Sequence, residues 1–146
     1  MVNGQAGRRT DGQRVTFRQQ VLWKKAQDFA EAVTDALVEV PADRAANVMV
    51  NQLLRAATSI PANIAEGYGR YSQAAYRNHL SIARGSAFES ESWLELMLRR
   101  GLITQAKFDS LLAKCDELER LLTLRMKSLS DGKTYAVREE GETYDA

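Results

Sequence analysis

Between Phe17 and Leu129 the chain contains four glycines, at positions 67, 69, 85 and 101, and two prolines, at 41 and 61. So few backbone breakers cannot divide this stretch into many short strands joined by turns. They leave a small number of long helices as the natural outcome. The other five glycines lie in the first 12 and last 15 residues. Those flanks are polar and poor in large aliphatic side chains, so the expected organisation is a mobile basic arm over 1–16, a helical domain over 17–129 and a mobile acidic tail over 130–146.

Apolar periodicity divides the central stretch into four helices. In the first, from about Phe17 to Val40, Leu22, Ala26, Phe29, Val33, Leu37 and Val40 follow one another at three- and four-residue spacing. Pro41 ends it, because proline disfavours the helical conformation in the residue before it. The second runs from about Asp43 to Glu66 on Met49, Leu53, Ala56, Ile60 and Ile64. Pro61 inside it removes one backbone hydrogen bond and is expected to kink it. Gly67 and Gly69 are expected to form the turn. Ser72 is the candidate N-cap of the third helix, which carries Tyr76, Leu80, Ala83, Ala87, Leu94 and Leu98 and stops at Gly101, a candidate C-cap. Thr104 opens the fourth, in which Phe108, Leu111, Leu112, Cys115, Leu118, Leu122, Met126 and Leu129 recur at near-heptad spacing. Four amphipathic helices joined by short connections fold as an all-α, up-and-down antiparallel four-helix bundle.

The inventory of chemistry is thin. One cysteine, Cys115, excludes an intramolecular disulfide and any multi-cysteine zinc site. One histidine, His79, excludes the paired Glu-x-x-His motifs of di-metal bundles. Cys115 lies on the core line and reads as a small buried hydrophobe. Glu89, Glu91 and Glu95 point in different directions around the third helix and read as a solvated face. No phosphate-binding loop, dinucleotide fingerprint or nucleophile triad is present, so no enzyme activity, metal or cofactor is expected. The N-terminal MVNGQAGRRTDGQR lacks the apolar core of a signal peptide and no apolar run approaches 18 residues, which predicts a cytoplasmic protein.

Two surface patterns remain. Ala75, Ile82, Trp93 and Leu96 form a second apolar stripe on helix three, about 100° or more from its core line at 100° per residue. Trp23 flanks the core face of helix one, and Leu121 and Leu124 lie off the core line of helix four. Trp23, Ile82, Trp93, Leu96 and Leu124 are therefore candidate oligomer contacts, with scattered exposed hydrophobes as the bland alternative. Gly85 thins the helix face beside Ala83 and Ala87, where another backbone can come near. The second pattern is basic. Arg70, Arg77 and Arg84 recur every seven residues, Tyr68 and Tyr71 flank Arg70, and Arg55 lies on the outer face of helix two. Arg8, Arg9 and Arg14 add charge in the arm. Guanidinium groups beside aromatics suit phosphate contact and base stacking, so Arg55, Arg70, Arg77, Arg84 and Tyr71 are the candidate nucleic-acid-binding residues. The competing reading is a solvated helix face with ordinary tyrosines at the bundle end, since the central stretch has a net charge of only +2.

From Leu54 to Glu91 the sequence reads LRAATSIPANIAEGYGRYSQAAYRNHLSIARGSAFESE. This segment resembles the bacterial four-helix-bundle family, also called 23S rRNA-intervening-sequence proteins, whose relatives include the accessory variability proteins of diversity-generating retroelements. The resemblance rests on Arg55-Ala56-Ala57, the string Ser59 to Gly67 (SIPANIAEG), Gly69-Arg70 with Ser72, Leu80, Ile82-Ala83, Gly85-Ser86, and Glu89 with Glu91. It implies a homopentameric ring with a positively charged surface that binds RNA or DNA, with a reverse transcriptase as a further partner in the retroelement relatives and no catalytic residues to carry over. The chain departs from the family pattern at two places. Ala75 stands where an acidic residue often completes a capping box with the serine. The corner before helix two is reduced to Val40-Pro41-Ala42-Asp43. The resulting expectation is a non-enzymatic, oligomeric, nucleic-acid-binding accessory protein; the alternative is a scaffold that docks a partner protein on the ring.

Overall fold

The structure is a computed structural model that describes residues 17–130. The arm and all but the first residue of the tail lie outside the described residues. A 3-10 turn, Phe17–Gln19, leads into α1 (Val21–Leu37), followed by α2 (Arg44–Tyr68), α3 (Gln73–Arg99) and α4 (Gln105–Ser130). There are no strands among the described residues. α1 packs on α2 and α4, and α3 packs on α2 and α4, which is the cyclic order of a four-helix bundle. Lys25 of α1 reaches Glu117 of α4, and Glu39, just beyond the end of α1, reaches Lys107 near the start of α4, so these helices run in opposite directions. Ser59 with Ser86 and Asn63 with His79 establish the same antiparallel relation for α2 and α3.

The helix starts are built by the residues that local chemistry favours. The Asp43 carboxylate accepts from the Ala46 amide at 2.9 Å, the Ser72 hydroxyl from the Ala75 amide at 3.1 Å, and the Thr104 hydroxyl from the Lys107 amide at 3.1 Å. Ser72 thus caps α3 without the reciprocal acidic partner that Ala75 cannot supply. After α3 the chain turns through Gly101 at φ +72°, a left-handed conformation suited to glycine.

Several boundaries differ from the sequence reading. The first helix is shorter than 17–40. It begins after the 3-10 turn and ends at Leu37, where Val38 is 76% exposed because the chain is already turning toward Pro41. α2 passes through buried Pro61 and continues to Tyr68. Gly67 therefore does not form a turn. It is buried within the last turn of α2, where a Cβ would come 2.6 Å from the Cβ of His79 and 3.2 Å from the Tyr76 carbonyl oxygen. Its role is to let α2 and α3 touch. Gly69 is the C-cap, donating to the Ala65 and Glu66 carbonyls. Ser130 completes α4 rather than beginning the tail.

The core contains every apolar residue assigned to it in α2, and Leu22, Ala26, Phe29, Val33 and Leu37 in α1. On α3 Met97 is buried and Leu98 only half-buried; on α4 Arg125 is buried and Met126 half-buried. Arg125 continues the heptad line of Leu111 and Leu118. At 1% exposure it donates to the Tyr76 hydroxyl at 2.7 Å.

Candidate nucleic-acid interface

The α2–α3 seam is polar along its outer edge. Asn63 donates to the Ser59 carbonyl and hydroxyl, Ser59 shares a hydrogen bond with Ser86, and His79 Nδ1 meets Asn63 Oδ1 at 3.1 Å. Because the Asn63 amide nitrogen is committed to Ser59, its oxygen accepts, which fixes the His79 proton on Nδ1. The SIPANIAEG string is therefore a packing device. Its serine and asparagine align α2 on α3, and its terminal glycine permits the contact.

The four candidate arginines divide into two pairs. Arg55 forms an ion pair with Glu89, which also accepts from the Trp93 indole, and it bonds Gln52 as well. Arg70 is ion-paired with Glu66 at 2.5 Å. Both charges are thus locally neutralised. Arg77 and Arg84 face the α4 side of α3. Arg77 donates through Nε to the Met126 carbonyl at 3.2 Å, and Arg84 donates through Nε to the Thr123 hydroxyl at 2.7 Å, with its guanidinium 5.0 Å from the Phe88 ring centre. Each of these contacts uses Nε, and neither guanidinium has a carboxylate partner among the described residues.

Exposed Arg120 and Lys127 lie about one turn on either side of Thr123 on α4. Arg77 and Arg84 thus line the α3–α4 groove, with Arg120 and Lys127 on the adjoining outer face of α4, and none of the four is ion-paired among the described residues. Sequence reasoning missed Arg120 and Lys127. They are 36 or more residues from Arg84 and join it only through the register of α3 against α4. Tyr71, fully exposed, lies in the turn before α3, whereas Tyr68 is half-buried and stacked on Phe17 at 5.7 Å. Of the described tyrosines, Tyr71 is the one open to a base.

Farther along α3 and α4 the same seam becomes acidic. Carboxylate oxygens of Glu91, Asp116 and Glu119 lie within 4.8 Å of one another. Glu91 is thus not part of a solvated face, unlike Glu95, which pairs with exposed Arg99. Burial, then the hydrogen bond and charge of Glu91, raise Glu119 to about 7. Burial, then Glu119, push the Cys115 thiol far above its ordinary range, and the thiol donates to the Ala87 carbonyl at 3.1 Å. Cys115 is an inert core residue. These are the described carboxylates close enough to share a cation, and below about pH 7 the cluster relieves its repulsion by holding a proton on Glu119.

The folded state keeps the Glu119 proton that the unfolded chain releases above about pH 4.5. This contribution to stability is present at low pH and is lost as pH rises to about 7. Glu119→Gln is expected to raise stability at pH 8 by about 1 kcal/mol, a value discounted for partial exposure, or about 3 °C in Tm. Melting curves at pH 8 and pH 4.5 check this: the difference between the variant and the parent protein should close at the lower pH.

A family model described as "23S rRNA-intervening sequence protein" matches residues 18–124. The chain belongs to this family. A crystal structure of a protein of unknown function from the S23 ribosomal protein family of Bacteroides thetaiotaomicron VPI-5482 is similar at 35% identity. That match covers 73% of this chain and 99% of the other, with a TM-score of 0.68. No curated protein matches.

In this family member the candidate oligomer contacts fall on more than one side. Ile82 and Leu96, 47% and 40% exposed, lie with half-buried Trp93 on the α2 side of α3, beside the Arg55–Glu89 pair. A Cβ at Gly85 would meet nothing within 4 Å, so the thin face is open in the single chain. Trp23 is half-buried, with Phe17 4.7 Å away, and exposed Leu124 is on α4, beyond the opposite edge of α3. No described helix is long and apolar enough to cross a membrane.

Proposed function

We propose that this 23S rRNA-intervening sequence family protein is a non-enzymatic accessory protein that binds RNA through the α3–α4 groove. The observation that carries the reading is the set of four exposed cations, Arg77 and Arg84 along the α3–α4 seam and Arg120 and Lys127 on the adjoining face of α4, with no carboxylate paired to them among the described residues. Exposed cations without carboxylate partners suit a phosphate backbone, and Tyr71 adds one stacking surface. Binding carried by phosphate contacts is expected to depend only weakly on sequence. Arg55 and Arg70, engaged by Glu89 and Glu66, contribute less. The chain assembles as a homo-oligomer, a pentameric ring by family analogy, through the Ile82, Trp93 and Leu96 stripe. Closed symmetry then repeats the groove in every subunit.

The test is binding of a structured RNA and of duplex DNA at about 50 and about 200 mM salt. Four phosphate contacts predict a loss of about 10²-fold between those salts on a duplex. The double variant Arg77→Gln with Arg84→Gln should bind more weakly, with a salt slope shallower by about 2, and should retain the parent oligomeric state. Unchanged binding by the variant removes the groove from the reading.

A scaffold role is the second reading. Exposed Val48, Ile82 and Leu96, with an open groove lined by Ser92, Trp93, Glu95, Leu96 and Arg99, favour a protein partner on the α2–α3 side. Absence of RNA binding at the lower salt, together with a specific partner retained after nuclease treatment, would support it.

A further inference from the structure

We propose that residues 131–146 lie across the α3–α4 basic groove and compete there with nucleic acid. Docking stands on the chain's own charges, whereas the competition rests on the nucleic-acid reading above. α4 ends at Ser130, one turn beyond Met126, whose carbonyl accepts from Arg77. The chain therefore leaves the bundle at the basic end of the groove, not at the Glu91–Asp116–Glu119 end.

The 16 residues that follow carry Asp131, Glu139, Glu140, Glu142 and Asp145 against Lys133 and Arg138, a net charge of −3. Arg77 and Arg84 are seven residues apart, about 10 Å along α3. A segment of this length can extend to about 50 Å, so its acidic cluster reaches both arginines without moving the bundle. Carboxylates at 139, 140, 142 and 145 offer the groove the same chemistry as successive phosphates: oxygen anions on a chain, met by guanidinium and ammonium groups. Tyr135 and Tyr144 supply aromatic rings beside those charges, as bases would. At millimolar effective concentration a tethered segment of weak intrinsic affinity competes with free ligand. Exposed ion pairs are weak and salt-screened, so the tail raises the threshold for nucleic acid without closing the groove permanently.

The test uses the full chain. A nitroxide is attached at Thr143→Cys; buried Cys115 should not react. Without nucleic acid and at about 50 mM salt, amide signals of Arg77, Arg84, Thr123 and Lys127 should broaden, and recover at about 0.5 M salt. In the tail variant Glu139→Gln, Glu140→Gln, Glu142→Gln and Asp145→Asn, the broadening should be lost. That variant, unlabelled, should bind a 20-nucleotide oligouridylate about 10-fold more tightly at 50 mM salt. The gain should shrink as salt rises. Absence of broadening in the groove overturns the docking. Broadening with no oligouridylate binding by either form overturns the nucleic-acid reading and the competition, while docking stands. Broadening with equal binding by both forms overturns the competition alone.

Discussion

Gly67→Ala is expected to destabilise the bundle by about 2 kcal/mol, lowering Tm by roughly 6 °C. In an open helix the same change gains about 0.5–1 kcal/mol, because alanine loses less backbone entropy on folding. Here the added methyl would sit 2.6 Å from the His79 Cβ and 3.1 Å from a Tyr76 ring carbon. Neither obstacle is the far end of a flexible side chain, so α2 and α3 must separate. Separation strains the Ser59–Ser86 and Asn63–His79 hydrogen bonds on the same seam. Gly85→Ala is the control, since its methyl would meet nothing within 4 Å. Thermal melts should show Gly85→Ala at or above the parent and Gly67→Ala well below it. If the two variants melt alike, close contact at Gly67 is not what requires glycine there.

Arg125→Ala is expected to cost about 3 kcal/mol, measured by urea unfolding. Arg125 is the largest fully buried side chain in the described chain. Its removal leaves a cavity among Tyr76 and the α4 heptad residues and abolishes the donation to the Tyr76 hydroxyl. Arg125→Met should recover much of that loss, because it refills volume without a charge to desolvate. A Met variant as unstable as the Ala variant would mean that the hydrogen-bonding fork, rather than the volume, holds this end of the bundle together.

The helical architecture was legible because its signals are local. Few breakers, apolar residues at three- and four-residue spacing, and caps such as Asp43, Ser72 and Thr104 act within one or two turns of the residue concerned. Arg125 was illegible for the opposite reason. By type it belongs on the surface, and only the continuation of the α4 heptad onto Tyr76 of another helix makes it core. Gly67 resembles turn glycine in a sequence until the neighbouring helix is seen against it.

The same division applies to the candidate interface. Sequence spacing put Arg77 and Arg84 on one face of a helix, as they are. It could not distinguish them from Arg55 and Arg70, because the difference is partly tertiary. Arg55 meets Glu89 across 34 residues of chain, while Arg77 and Arg84 meet a carbonyl and a hydroxyl of α4 instead of a carboxylate. Arg120 and Lys127 join them only by the register of two antiparallel helices. The amino-acid order by itself determined the four helices, their amphipathic faces and the family, since each follows from short-range geometry or from a continuous string. Which cations stay unpaired, which charge is buried and where two helices must touch were decided by the tertiary structure, because charge pairing and burial depend on distances between helices that no local pattern sets.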